Sequence, residues 1–132
     1  MKMLVTGAKG MLGTDLCAIF KEEHHVKATD IEDMDVRRRE VIHQVASEFR
    51  PDLIIHLAAL TDVDGCERKP DEAFHTNTIG TQNVALVCQQ LTIPLVYIST
   101  ISVFDGTKPE AYTEYDMPNP QSYYSQSKYQ GE

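Results

Sequence analysis

A short apolar run that breaks on glycine and reopens with helical spacing constrains this chain more than any other feature. Met3-Leu4-Val5-Thr6 is continuously strand-like, and Gly7 interrupts it. From Met11 the apolar period lengthens, with Leu12, Leu16, Ile19 and Phe20 at i, i+4, i+7 and i+8. The same switch then repeats. Val26 to Thr29 reads as a second strand, and a helix follows from Arg38 to Phe49 with Val41, Ile42, Val45 and Phe49 on one face. Pro51 ends that helix, and Leu53-Ile54-Ile55 opens a third strand whose unbroken apolarity predicts burial on both faces. Pro70 stands ahead of a long helix predicted over 71–91, with Val84, Val87, Cys88 and Leu91 as its inner stripe. Leu95 to Ser99 is the fourth strand. A loop rich in Gly, Pro, Asp and Asn covers 105–120, and a helical segment runs from Tyr123 to Glu132. Strands that alternate with helices are joined by crossovers and lie parallel, so the predicted fold class is α/β with a doubly wound parallel sheet.

A chain of 132 residues suits one compact domain and not two. Twenty acidic against twelve basic residues leave a net charge of −8. That sign disfavours nucleic acid and membrane surfaces as partners, since both reward clustered Lys and Arg. The one basic cluster, Arg37-Arg38-Arg39, reads as solvated surface. The longest mostly apolar stretch, Leu53 to Leu60, contains His56 and falls far short of the roughly 20 residues of a membrane span. Lys2 to Thr6 reads as a strand of the fold and not as a secretory leader. Cys17, Cys66 and Cys88 are odd in number and form no C-x-x-C pair, so reduced thiols of a cytoplasmic protein are expected. His24, His25, His43, His56 and His75 lack metal-ligand spacing, and no metal is expected.

In Thr6-Gly7-Ala8-Lys9-Gly10-Met11-Leu12-Gly13 the glycines stand three apart between a buried strand and a helix. Free N–H groups and the helix dipole favour a pyrophosphate there, and a Cβ would block both the turn and the approach. No Gly-Lys-Ser or Gly-Lys-Thr closes the turn, which excludes the phosphate loop of nucleotide hydrolases. Asp30 ends the next strand, where a carboxylate accepts from the adenosine ribose hydroxyls. That carboxylate repels the 2′-phosphate of NADP, whereas Lys9 and Arg37 to Arg39 supply the opposite preference. NAD and NADP both stay open.

Tyr124 and Lys128 are four apart and share a helix face. Six tyrosines and seven lysines in 132 positions give roughly 0.3 such pairs by chance, so the spacing alone is weak. Its company strengthens it, because Ser99 and Thr100 lie at the end of the last strand, the edge at which open α/β sheets bind ligands. The chemistry fits hydride transfer to a carbonyl. A tyrosine near ~10 is a sluggish proton donor at neutral pH. A neighbouring ammonium from Lys128 stabilises tyrosinate and lowers that value. Thr100 is placed to hydrogen-bond the same oxygen.

Several ordered motifs accompany these residues: Pro51-Asp52-Leu53-Ile54-Ile55-His56-Leu57-Ala58-Ala59, Thr61-Asp62-Val63-Asp64, Asn77-Thr78-Ile79-Gly80-Thr81, Tyr97-Ile98-Ser99-Thr100 and Val103-Phe104-Asp105-Gly106-Thr107. Along its whole length the chain resembles the extended short-chain dehydrogenase/reductase family, nearest to its dTDP-4-dehydrorhamnose reductase branch. The resemblance implies a Rossmann-type fold and a catalytic set of Thr100, Tyr124 and Lys128, with Lys128 also holding the nicotinamide ribose. It implies cofactor contacts from Gly7, Lys9, Gly10, Met11, Leu12, Gly13, Asp30, Asp35, Val36, Ala58, Ala59, Thr61, Asn77, Ser99, Tyr124 and Lys128, with Asn77 also at the family's structural asparagine position. The implied reaction is NADPH- or NADH-dependent reduction of dTDP-4-dehydro-L-rhamnose to dTDP-L-rhamnose.

Two positions depart from the branch. Ile101-Ser102 stands where Asp-Tyr is usual beside the sugar, and Ser125 replaces the glycine after the catalytic tyrosine. Alternatives are another nucleotide-sugar epimerase or dehydratase of the family, or a non-catalytic dinucleotide-binding regulatory subunit. The resemblance also implies a sugar-nucleotide domain beyond residue 132 and allows a homodimer of the longer form. Residues 1–132 are therefore expected to bind dinucleotide weakly and to turn over no substrate.

Overall fold

The computed structural model describes residues 1–132. Four strands, β1 (Lys2–Thr6), β2 (His25–Ala28), β3 (Leu53–His56) and β4 (Leu95–Tyr97), form one sheet in the order β2-β1-β3-β4. All three pairings are parallel, with Val5 opposite Ala28 on one side and Ile55 on the other, and Ile55 opposite Val96. The carboxyl ends therefore share one edge. The chain builds outward in one direction from β1 and then returns to its other side, so the order reverses between β1 and β3. Open α/β sheets bind ligands at such a switch point.

Strand alternation sends Leu4 and Ile54 to one face, where they meet α2 (Arg39–Phe49) and α5 (Gly80–Leu91). Nine buried residues make this larger core, including Met34, Val36, Ile42, Val84 and Val87. Burying each such side chain contributes about 1.5–3 kcal/mol. Met3, Val5 and Ile55 point to the other face and pack with Cys17 of α1 (Met11–Phe20). This second core is smaller, and Val96 and Ile98 stay 41% and 39% exposed. The fold is the doubly wound α/β sheet expected from the alternation. No helix is long and apolar enough to cross a membrane. Cys17, Cys66 and Cys88 are buried and unpaired.

Four local details differ from the expectations. The inner face of α1 is Gly13, Leu16, Cys17 and Phe20, while Leu12 and Ile19 are exposed. Gly13 lies inward because its missing Cβ lets the helix start approach the turn, and Cys17 one turn on packs against Met3, Val5 and Ile55 of the sheet. A short helix α3 (Val63–Arg68) was not foreseen, since Gly65 and three charged residues hide its period; Asp62 caps it by accepting from Gly65 N at 3.0 Å. The long helix begins at Pro70 as α4 (Pro70–Ala73), passes through a π-helical turn at Phe74–Ile79, and continues as α5. β4 ends at Tyr97 and not Ser99, because its pairing with β3 stops at His56.

The loop after β4 holds a 3-10 turn (Ile101–Val103) and is organised by Asp105. Its carboxylate accepts from Thr107 N, Thr107 Oγ1, Tyr112 Oη and Asn119 Nδ2 at 2.8–3.0 Å, which holds it well below the usual carboxylate range. The last helix, α6 (Tyr123–Gly131), packs on the π-helical turn and on α3.

Candidate active site

A cavity of about 540 Å³ opens at the carboxyl edge, within the size range of small-molecule sites. Each strand end contributes a wall: Gly7 and Gly10 to Gly13 after β1, Asp30 and Met34 to Arg37 after β2, Leu57 to Thr61 after β3, and Ile98 and Ser99 after β4. Tyr124 and Lys128 of α6 close one end with Thr76.

At the other end the glycine turn is shaped for a ligand. Gly7 has φ +64, and a Cβ on it would come within 2.6 Å of Ala58 N. A Cβ on Gly13 would reach 2.7 Å from Ala8 Cα, so only glycine lets α1 start against the turn. The first-turn amides of Met11, Leu12 and Gly13 have no partner within the helix and lie at the cavity wall. Asp30 is held in place by backbone, its carboxylate accepting from Lys9 N and Ile31 N, both at 2.9 Å. Arg37 forms a forked pair with Asp35, with Nε and Nη2 donating at 2.9 and 2.7 Å, and the Asp35 carboxyl lies below its ordinary value for that reason.

The end near α6 is built from buried side chains. Lys128 is 5% exposed, donates from Nζ to Ile98 O at 2.7 Å, and has Nζ 4.3 Å from the centroid of the Tyr97 ring. Burial pulls its ammonium down to about 8, against the opposing pull of Glu132. Asn77 Oδ1 accepts from Leu60 N at 2.8 Å, while Nδ2 donates to Leu60 O and to Ser127 Oγ at 3.0 and 2.9 Å. Thr78 Oγ1 donates to Ser127 O at 2.8 Å, so the π-helical turn grips α6 twice. Beneath them runs a directed chain. Leu57 N and Ala58 N donate to Thr6 Oγ1, which leaves the Thr6 proton for His56 Nδ1 at 2.7 Å. His56 Nε2–H then meets Thr81 Oγ1 at 3.0 Å, and Thr81 donates to Asn77 O. This chain suits a neutral ring, and burial, with the Lys128 charge, pushes His56 down to about 4.

The start of α6 is fixed by its own capping box, Ser122 and Ser125 satisfying each other's backbone N–H. Ser125 is 1% exposed, so the serine that replaces the expected glycine has a structural function here. Glu67 of α3 adds a carboxylate at 2.7 Å from Tyr123 N, where the helix dipole favours negative charge.

Of the residues picked out from sequence, Gly7, Gly10, Met11, Leu12, Gly13, Asp30, Asp35, Val36, Ala58, Ala59, Thr61, Ser99, Tyr124 and Lys128 line the cavity. Three stand outside its lining. Lys9 turns its ammonium to Glu32 at 2.9 Å, Asn77 lies beneath the site, and Thr100 accepts from Ser102 N at 3.2 Å as the cap of the 3-10 turn. Ile31, Met34, Leu57, Leu60, Thr76 and Ile98 also line the cavity without having been singled out. All six adjoin picked residues in sequence, which is the signal that was there to read. No group of three or more His, Cys, Asp or Glu side chains comes together.

A parallel sheet with a glycine turn at its switch point and a Tyr-x-x-x-Lys helix across the cavity is the architecture of the extended short-chain dehydrogenase/reductase class. The chain belongs to the family described as RmlD substrate binding domain, whose model matches residues 1–132. It is 36% identical over 132 residues to dTDP-4-dehydrorhamnose reductase of Sinorhizobium fredii, covering 100% of this chain and 45% of that protein. A crystal structure of dTDP-4-dehydrorhamnose reductase from Bacillus anthracis in complex with NADP is 41% identical with a TM-score of 0.95, covering 98% of this chain and 47% of that one. Methionine adenosyltransferase 2 subunit beta of Rattus norvegicus is 34% identical over 139 residues, covering 99% of this chain and 41% of that protein. The chain thus spans less than half the length of these relatives.

Proposed function

We propose that this chain supplies the cofactor-binding and proton-transfer half of an NAD(P)H-dependent reductase of a nucleotide-linked 4-keto sugar. The favoured substrate is dTDP-4-dehydro-L-rhamnose and the product dTDP-L-rhamnose. The observation that carries this reading is the meeting of the glycine turn with Tyr124 and Lys128 on one cavity. The walls suit a dinucleotide: a turn a Cβ would fill, unpartnered first-turn amides, and a fixed carboxylate at the second strand end. Gly7 to Gly13 would hold the pyrophosphate, Asp30 with Asp35 and Val36 the adenosine, and Ala58, Ala59, Thr61 and Ser99 the nicotinamide side.

The bound nicotinamide supplies the hydride. Negative charge then builds on the sugar's C4 oxygen, and Tyr124 delivers the proton from its phenol. Lys128 keeps two of its three N–H groups free of protein partners, because only Ile98 O takes one. Those two are available to a ribose hydroxyl and to the tyrosine oxygen, and the ammonium favours tyrosinate as the proton leaves. Thr100 enters this scheme by turning its hydroxyl from the 3-10 turn toward the C4 oxygen. Asn77 acts as a positioning residue, through Ser127 and Leu60. Three buried free thiols suit a reducing compartment, and a cytoplasmic location goes with this reading.

A sugar-binding segment of the kind the relatives' additional length allows completes the reaction in this reading. The test has two parts. NADPH and NADH titrated into the 132-residue chain, followed by fluorescence, are expected to bind weakly, with at least one displaced by excess adenosine monophosphate. No binding of either overturns the proposal. No oxidation is expected when dTDP-4-dehydro-L-rhamnose is added, and turnover by residues 1–132 alone would overturn the division of labour. A regulatory, non-catalytic subunit is the second reading, favoured by Thr100 facing Ser102 N and by the likeness to the methionine adenosyltransferase subunit. Dinucleotide binding without keto-sugar turnover in a longer form carrying the same residues selects it.

A further inference from the structure

We propose that Tyr97 is a positioning residue whose ring is the platform that holds the Lys128 ammonium at the floor of the cavity. This rests on the role given above to Lys128. Tyr97 enters the sequence reading only as the first residue of the motif Tyr97-Ile98-Ser99-Thr100, and it lies outside the cavity lining. Its place in the structure is nevertheless specific. The last residue of β4, it has its ring centroid 4.3 Å from Lys128 Nζ, and its hydroxyl donates to Lys128 O at 3.0 Å. The same residue thus contacts both the charge and the backbone of one lysine.

The ring is itself supported from below. His56 stacks on it at 5.9 Å between centroids with planes 29° apart, and His56 is pinned through both nitrogens by Thr6 and Thr81. Gly131 leaves the space for its hydroxyl, since a Cβ there would approach Tyr97 Oη to 3.0 Å and Asn77 O to 2.9 Å.

A platform is needed because an ammonium that is 5% exposed has lost most of its water. One hydrogen bond to Ile98 O does not replace a hydration shell, and no carboxylate pairs with Lys128. Glu132, one turn along α6, accepts from Ser99 instead. The negative face of an aromatic ring attracts a cation without consuming its N–H donors. Tyr97 therefore keeps Lys128 charged and leaves two donors for the ligand. A second carboxylate in its place would capture them. The other groups facing Lys128 fit this. His56 on β3 is neutral near pH 7, burial pushes the Tyr97 phenol up to about 12, and Tyr124 shares the cavity wall.

The experiment follows the ¹³Cε resonance of Lys128 against pH in the 132-residue chain, with Tyr97→Phe and Tyr97→Leu beside the parent. The parent is expected to titrate near 8. Tyr97→Phe keeps the ring and should stay there, whereas Tyr97→Leu should fall by about 0.5 to 1 pH unit as the cation loses its partner. A midpoint in Tyr97→Leu at or above the parent's overturns the proposal, and so does a fall of equal size in Tyr97→Phe. If Tyr97→Leu does not fold, the parent and Tyr97→Phe still decide through the Lys128 ε-methylene protons. Seated over the ring they are displaced upfield, and ordinary positions overturn the platform. A parent that binds no dinucleotide would sink the proposed function while leaving this titration to give its own answer.

Discussion

The two ends of the cavity are built on opposite principles. At the glycine turn the ligand surface is made from what side chains leave out: no Cβ at Gly7 or Gly13, open amides at the start of α1, and a carboxylate fixed by backbone N–H groups. The charges around it are surface ion pairs, Lys9 with Glu32 exposed and Arg37 with Asp35 half-buried. At α6 the surface of Tyr124 and Lys128 rests on side chains buried to within a few per cent, with Asn77 at 1% and Ser127 at 0% beneath Lys128 at 5%. Each polar atom there has a named partner. A backbone cradle tolerates change in its surrounding charges, because solvent screens them. A buried network does not, since losing one member exposes the others to the full desolvation penalty.

The sharpest way to break that contrast is Asn77→Ala. It strips partners from Leu60 N, Leu60 O and Ser127 Oγ at once. Leu60 N loses its only partner, whereas Ser127 Oγ keeps Tyr124 O and Leu60 O keeps the Cys66 thiol, which puts the expected loss at about 2–4 kcal/mol. Urea unfolding measures it, and a loss under about 1 kcal/mol would show that the network is less coupled than its geometry implies. Dinucleotide binding should weaken with it, because Lys128 rides on the helix that Asn77 grips.

Acid should act on the same end next. His56 sits near 4 in the fold against an ordinary 6.5, chiefly through burial. Below 6.5 the unfolded chain takes up a proton that the folded chain refuses, so stability falls as pH drops and levels off near 4. The span of that window corresponds to about 3 kcal/mol. Asp35, Asp105 and Asp116 also lie below their ordinary 3.8, and the exposed Glu32 and Glu40 below 4.5, so their contributions are lost from about pH 4.5 downward and leave the range above it to His56. Denaturant midpoints at pH 7, 5.5 and 4.5 test this, with His56→Gln as the variant whose profile should flatten. A parent profile already flat between pH 6.5 and 4 would remove His56 from the account.

The same division separates what the letters disclosed from what they hid. The sheet was legible because each strand is a short apolar run and each helix changes the period, a pattern set by neighbours in sequence. The glycine turn was legible for a similar reason, since Gly7, Gly10 and Gly13 and the strand before them lie in one stretch of chain. The register of α1 is hidden because Leu12 and Ile19 outrank Gly13 and Cys17 in hydrophobicity, yet Gly13 lets the helix approach the turn and Cys17 packs on the sheet. The network under Lys128 joins Thr6, His56, Asn77, Thr81 and Ser127 across as many as 50 positions. No local period announces such partners. Thr100 illustrates the limit from the other side: the strand expected to reach it stops at Tyr97, and the direction of its hydroxyl follows from the 3-10 turn that it caps.

The smallest effect expected concerns Arg37. Its pair with Asp35 is well formed, but the two side chains are 37% and 21% exposed. Screening leaves such a pair about 0.5 kcal/mol or less, so Arg37→Ala should barely move the unfolding midpoint. Its effect on ligand choice should be larger than its effect on stability. Only NADPH carries a 2′-phosphate, and Arg37 is the one guanidinium that lines the cavity, beside the fixed Asp30 carboxylate. Arg37→Ala is therefore expected to weaken NADPH several-fold while leaving NADH nearly unchanged, read as the ratio of the two dissociation constants at fixed salt. If both affinities move together, Arg37 acts only by holding Asp35 in place. If neither moves, the guanidinium belongs to Asp35 alone, and the preference at this end is set by backbone and Asp30.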